Sequence, residues 1–136
     1  HKDLLSGKGS QYVPPSPREV VIGEQSHIHP TAQITGPVMI GGNCTIGRKV
    51  RLTGPIVIGH GCQILSEAIV EESVIWRNAW LGQGVNLKNS IIADNCCLNA
   101  NSIVEDSILG DSVTVVSGYK LEPDSKIWPE TIAGPS

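Results

Sequence analysis

Ile40-Gly41-Gly42-Asn43-Cys44-Thr45-Ile46-Gly47-Arg48-Lys49-Val50-Arg51-Leu52 places an aliphatic residue at every sixth position. Read outward, the phase holds through Ile22, Ile28, Ile34, Ile40, Ile46, Leu52, Ile58, Ile64 and Val70. Neither a 3.6-residue helical period nor a 2-residue strand alternation generates such a series. A period of six means a short extended run, then a corner, repeated, which predicts a parallel β-helix built from hexapeptides. After Val70 the series continues as Ile75, Leu81, Leu87, Ile92, Leu98, Val104, Leu109, Val115, Leu121 and Ile127, with three steps of five. Three hexads close one coil, so coils start at Ile22, Ile40, Ile58, Ile75, Ile92 and Leu109, with a partial one at Ile127. The expected fold is all-β, a single-stranded β-helix of about six coils.

Longer echoes agree with this division. Thr35-Gly36-Pro37-Val38 returns as Thr53-Gly54-Pro55-Ile56, whereas Ser73-Val74-Ile75, Ser90-Ile91-Ile92 and Ser107-Ile108-Leu109 return at a spacing one residue shorter. One corner of the coil is therefore trimmed in the third, fourth and fifth coils. The first and fifth residues of each hexad face inward. The fifth is small or apolar: Ser26, Ala32, Val38, Cys44, Val50, Ile56, Cys62, Ala68. Ser26, Cys44, Cys62, Ala79, Cys96 and Val113 are expected to stack on one inner edge, which makes the cysteines buried apolar groups rather than metal ligands. Gly, Asn, Asp and Ser at the intervening positions suit the left-handed backbone of tight corners.

Composition is consistent with a narrow core. Phe is absent and Trp and Tyr total five, while Gly numbers 15. Net charge is −3, without a basic stripe or aromatic platform for nucleic acid. No apolar run is long enough to span a bilayer, and no signal peptide is seen, so a cytoplasmic location is expected. Residues 1–21, which include Pro14, Pro15 and Pro17, are expected to be a linker from an upstream domain. Residues 22–132 form the β-helix and 133–136 a tail.

The hexads Ile40–Thr45 and Ile58–Gln63 resemble those of left-handed hexapeptide-repeat β-helices, and the left hand is implied by that resemblance alone. More narrowly, Glu72-Ser73-Val74-Ile75-Trp76, Asn89-Ser90-Ile91-Ile92, Glu105-Asp106-Ser107-Ile108-Leu109 and Lys126-Ile127-Trp128-Pro129 are similar to the C-terminal domains of sugar-1-phosphate nucleotidyltransferases, of the mannose-1-phosphate guanylyltransferase or NDP-sugar pyrophosphorylase type. Asp3–Lys8 resembles the helix end that leaves the catalytic domain in that group. The resemblance implies an assembly or regulatory role, in a homo-oligomer and against the family's own N-terminal nucleotidyltransferase domain. It implies Mg²⁺ and NTP in that other domain and no cofactor here. No Gly-rich nucleotide loop occurs in this sequence, so the chain alone is not expected to catalyse nucleotidyl transfer.

Two other readings stay open. Hexapeptide acyltransferases use a His as general base at a cleft between subunits, and His60 is the residue that fits that role here. The related domain of a guanine-nucleotide exchange factor serves protein contact. Zinc binding of the γ-carbonic anhydrase kind is not supported: the partner of His60 in the His-x-x-x-x-His pair falls on Leu65, and His27 and His29 are two apart. Outward apolar residues mark contact surfaces on a solenoid. The interface candidates are Trp76, Arg77, Trp80, Met39, Val57 and Ile69, with Trp76 and Trp80 expected near each other. The acidic pairs Glu71-Glu72 and Glu105-Asp106 are read as one solvated corner, two coils apart.

Overall fold

The computed structural model describes residues 20–134. Every strand is parallel to its neighbours, and the strands form three walls. Wall A holds Val20–Ile22, Val38–Ile40, Ile56–Ile58, Val74–Ile75, Ile91–Ile92, Ile108–Leu109 and Lys126–Ile127. Wall B holds seven strands from His27–Ile28 to Ile132–Ala133, and wall C five from Gln33–Thr35 to Ile103–Glu105. The three walls succeed one another along the chain, so each circuit A, B, C is one coil and each strand pairs with the strand one coil away. The register is the one the aliphatic period predicts: Ile22 pairs with Ile40, Ile40 with Ile58, Ile75 with Ile92 and Leu109 with Ile127. No helix occurs among the described residues.

The expected boundaries of the repeat, 22 and 132, each move outward. Val20 already pairs with Val38, and Ala133 still pairs with Val115. Residues 1–19 of the expected linker 1–21, and Pro135 and Ser136 of the expected tail 133–136, lie outside the described residues.

The interior is one column of aliphatics per wall. Ile46, Leu52, Ile58, Ile64, Ile75, Leu81, Leu87, Ile92 and Leu98 are fully buried, each burial stabilising by about 1.5–3 kcal/mol. No aromatic side chain is among the fully buried residues, and Tyr119 packs against the core from a half-buried position. The fifth-position residues line the same interior. Cys44, Cys62, Ala79, Cys96 and Val113 stack as expected, joined by Thr45 N–H to Cys62 O, Gln63 N–H to Ala79 O and Cys97 N–H to Val113 O.

Corners repeat as columns of positive φ. Between walls A and B these are Gln25, Asn43, Gly61, Asn78, Asn95, Ser112 and Glu130; between B and C, Lys49, Glu67, Gly84, Asn101 and Gly118. The corner from C to A has two forms. In the first two coils it contains cis Gly36-Pro37 and Gly54-Pro55. In the trimmed coils Glu72, Asn89 and Asp106 take positive φ, and the next residue is a buried serine, Ser73, Ser90 or Ser107. Each of these hydroxyls donates to the carbonyl two residues before it, at 2.8–2.9 Å. Each also accepts a backbone N–H from the next coil. The shorter corner is thus closed by side-chain oxygens that satisfy buried backbone groups.

Candidate interaction surface

Side chains just before each aliphatic of wall A point outward. They are Val21, Met39, Val57, Val74, Ile91 and Ile108, held in one column by the pairs Val21–Met39, Met39–Val57, Val57–Val74, Val74–Ile91 and Ile91–Ile108. Met39 is 48% exposed, Val57 44%, Ile91 41% and Ile108 44%. Six rows at about 4.8 Å make an apolar stripe roughly 24 Å long from first to last. Beside it runs a second column, Gly23, Gly41, Gly59, Trp76, Ala93, Gly110 and Trp128, in which small residues lie against the following coil's backbone. A Cβ on Gly59 would lie 2.8 Å from the carbonyl carbon of Trp76. Trp76 and Trp128 rise from this flat strip, 51% and 82% exposed. The stripe ends at a shallow depression of about 330 Å³ lined by Ile108, Gly110, Lys126, Ile127, Trp128 and Pro129.

The other two walls differ. Wall B presents His27, Thr45, Gln63, Trp80, Cys97 and Thr114 along its outward column. Wall C presents Gln33, Arg51, Ile69, Asn86 and Ile103, and beside them Thr35, Thr53, Glu71, Lys88 and Glu105. Lys88 stands between Glu71 and Glu105 in the register. Asn89 donates to Asp106 at 2.8 Å, so the two acidic pairs are spaced by a cation and an amide.

The six interface candidates fall on different surfaces. Met39 and Val57 share wall A. Ile69 is half-buried on wall C, and Trp80 is half-buried on wall B. Trp76 and Arg77 occupy the corner between A and B, so the corner separates the two tryptophans onto adjoining faces. Arg77 is tied down: its guanidinium donates to Asp94 at 2.9 Å, and its own backbone N–H donates to the same carboxylate at 2.9 Å. That pairing holds the Asp94 carboxyl below the usual range. Val21, Val74, Ile91 and Ile108 escaped the sequence reading. A search at the sixth hexad position reaches Met39 and Val57, but trimming the corner moves Val74, Ile91 and Ile108 to the fifth. Counting back one residue from the start of each coil finds all six.

His60 is exposed at the same corner, its Nε2 3.2 Å from the Asn43 amide nitrogen. Among the described residues no three His, Cys, Asp or Glu side chains converge at metal-binding distance. The thiols of Cys44, Cys62 and Cys96 are buried and donate to Gly59 O (3.1 Å), Trp76 O (2.8 Å) and Gly110 O (3.0 Å). The Cys62 thiol is pushed up by the Cys44 thiol beside it and by burial; burial pushes Cys96 and Cys97 up as well. A polar depression on the first coils is lined by Thr31, Gln33, Lys49 and Arg51. No helix among the described residues is long and apolar enough to cross a membrane.

Two comparisons with known proteins bear on this geometry. Residues 55–127 match the family described as "GlmU-like, C-terminal hexapeptide", and residues 19–54 match "Bacterial transferase hexapeptide (six repeats)". The matches support the left-handed winding, which parallel pairing by itself leaves open. Among solved structures, two variants of GDP-perosamine N-acetyltransferase from Caulobacter crescentus, each with CoA and GDP-perosamine, are similar in fold. One superposes with TM-score 0.74 at 18% identity over 83% of this chain and 53% of that one; the other with 0.71 at 17% over 79% and 51%. A Bacillus cereus protein described as a putative acetyltransferase gives 0.55 at 16% identity, over 83% and 76%. The chain thus spans about half the length of the Caulobacter enzyme.

Proposed function

The chain belongs to the GlmU-like, C-terminal hexapeptide family, and from that premise we propose that it is the non-catalytic assembly and regulatory domain of a cytoplasmic nucleotidyltransferase that makes NDP-sugars from an NTP and a sugar 1-phosphate. The observation that carries this reading is the distribution of side chains on the prism. Wall A carries a continuous outward apolar stripe, which suits contact with protein, whereas walls B and C present mixed columns of polar and apolar groups. Catalysis needs an acid or base within hydrogen-bond reach of a bound substrate. The one histidine weighed for that role, His60, has an amide as its neighbour and lies at a tight turn. The nucleotide loop, Mg²⁺ site and sugar phosphate site belong, on this reading, to an N-terminal domain against which the prism packs.

The second reading, an acyl-CoA-dependent transferase, is supported by the fold likeness to the Caulobacter enzyme with its bound CoA. The test separates them. The full-length gene product is assayed for pyrophosphate release from NTP and sugar 1-phosphates, and this chain is titrated with CoA and acetyl-CoA at millimolar concentration by calorimetry. Nucleotidyl transfer by the full product, with no heat of CoA binding, is the expected result. CoA binding that disappears in His60→Ala, with no nucleotidyl transfer, overturns the proposal in favour of the acyltransferase.

A further inference from the structure

We infer that the corner between walls B and C, in the first two coils, is a binding site for a phosphate monoester dianion clamped between Lys49 and Arg51. This site lies beyond the assembly role proposed above and stands independently of it.

Three observations converge on it. The first is the lining of the polar depression. It is formed by Thr31, Gln33, Lys49 and Arg51, and its volume is about 460 Å³. None of the four is acidic and none is apolar. The second is their placement. Gln33 and Arg51 are register partners on neighbouring strands of wall C. Lys49 and Arg51 are two residues apart, with Val50 turned into the core between them. Both cationic side chains therefore leave the same outer surface, one coil on from the Gln33 amide. The Lys49 backbone is fixed at this spot. Its φ is +59°, and its N–H donates to the Thr31 hydroxyl at 2.9 Å, which lies 2.8 Å from His29 Nδ1. The third is charge. Arg51 has Gln33 and Ile69 as its register partners, so neither is a carboxylate. Glu67 follows Lys49 in the corner column, yet among the described residues the one ion pair is Arg77–Asp94. Arg48 adds a third cation at the rim. Elsewhere cations keep acidic company: Lys88 stands between Glu71 and Glu105, and Lys120 and Lys126 flank Glu122 and Asp124 in sequence.

The donor set selects the ligand. A phosphate monoester carries close to two negative charges at neutral pH and three terminal oxygens. A guanidinium gives two parallel N–H donors to two of them, and an ammonium gives a point charge to the third. The Gln33 amide adds a neutral donor. Lys49 and Arg51 together supply two positive charges, which a dianion neutralises and a single carboxylate does not. The depression is larger than one phosphoryl group, so the organic part of the ester extends over Thr31 and Gln33. The same phosphoryl group is carried by sugar phosphates, by nucleotides and, without an organic part, by inorganic phosphate.

The test uses the 136-residue chain. It is titrated by calorimetry at low salt with inorganic phosphate, a hexose 1-phosphate and a nucleoside monophosphate, and with the hexose and the nucleoside alone. Saturable binding of at least one phosphate, with a Kd of about 1 mM or tighter, and none of the unphosphorylated compounds, is expected. Lys49→Gly and Arg51→Gln should each weaken that binding about tenfold or more, with circular dichroism verifying that both are folded. Glycine is chosen at position 49 because it suits the positive φ, so the charge is removed without straining the corner. Arg51→Lys keeps the charge, loses the fork and should fall between wild type and Arg51→Gln. Lys88→Gln, two coils away on wall C, should leave the Kd unchanged. Equal affinity for all three phosphates assigns recognition to the phosphoryl group alone, and a preference for one identifies its carrier; both support the site. No saturable binding of any of the three overturns it. So does binding that the folded Lys49→Gly and Arg51→Gln variants retain in full. Neither result bears on nucleotidyl transfer by the full-length product, so the two readings fail separately.

Discussion

Ser90 and Ser107 are joined across a coil boundary: the backbone N–H of Ser107 donates to the Ser90 hydroxyl at 3.0 Å, while that hydroxyl donates to Lys88 O at 2.9 Å. Ser73 does the same for Ser90 at 3.1 Å. The trimmed corner turns too sharply for its backbone groups to be met by strand pairing alone, and a buried side chain with one donor and free lone pairs supplies what is missing.

Ser90→Ala should therefore leave the Ser107 N–H without an acceptor inside the wall, while the Lys88 carbonyl still accepts from the Asp106 N–H at 3.0 Å. A loss of about 1–3 kcal/mol in unfolding free energy is expected, read from urea titration. Ser117→Ala, whose hydroxyl is exposed and donates to Ala100 O, serves as the control and should change little.

Gly59→Ala should destabilise by about 1–3 kcal/mol, because the new methyl meets the Trp76 backbone at 2.8 Å and the coils must separate. Gly118→Ala tests the opposite case. Its φ is +73° but nothing lies within 4 Å of an added Cβ, so only the left-handed backbone penalty of about 1–2 kcal/mol applies. Thermal unfolding of both variants separates crowding from conformational strain.

Leu87 is fully buried at mid-height in wall C, between Val70 and Val104. Leu87→Ala should cost about 2–5 kcal/mol, as the coils above and below hold the space open. A smaller value in denaturant titration would mean that neighbouring coils collapse into the gap.

Thiol chemistry should follow exposure. In the native chain iodoacetamide should modify Cys97, which is half-buried on wall B, and spare Cys44, Cys62 and Cys96; in denaturant all four should react. Because burial raises the Cys97 thiol above its model-peptide range, the fraction of thiolate is reduced at neutral pH. Its labelling rate should still be climbing as pH passes 9, the sign expected for a thiolate nucleophile. Mass spectrometry of labelled peptides reads both results.

The period of six aliphatics contained the walls, the coil boundaries and the inner cysteine column, because a side chain that must face a shared axis leaves a mark at every turn. Corner residues were visible where Asn43, Asn95 or Gly61 takes the positive φ, but not where Gln25, Lys49, Glu67 or Glu130 does. The outward surface was read only in fragments. Ile69 and Trp80 look like members of one apolar set with Met39 and Val57, yet they belong to other walls, because hexad position does not say which wall a residue occupies. Val74, Ile91 and Ile108 were hidden by the one-residue trim, which shifts their hexad number while keeping their place in space. The serine contacts were not foreseen either: a recurrent Ser before an aliphatic pair does not reveal that its oxygen serves two coils.

Since every strand pairs only with those one coil above and below it, the molecule is a stack of rungs without long-range closure. Its height is then an adjustable dimension. Duplicating residues 75–91 would add one rung and extend the stripe by one aliphatic row, with Ile75, Leu81 and Leu87 each stacking on its own copy, aliphatic on aliphatic. Length, and with it the reach of whatever the prism holds apart, can be set in whole-rung increments while the cross-section stays constant.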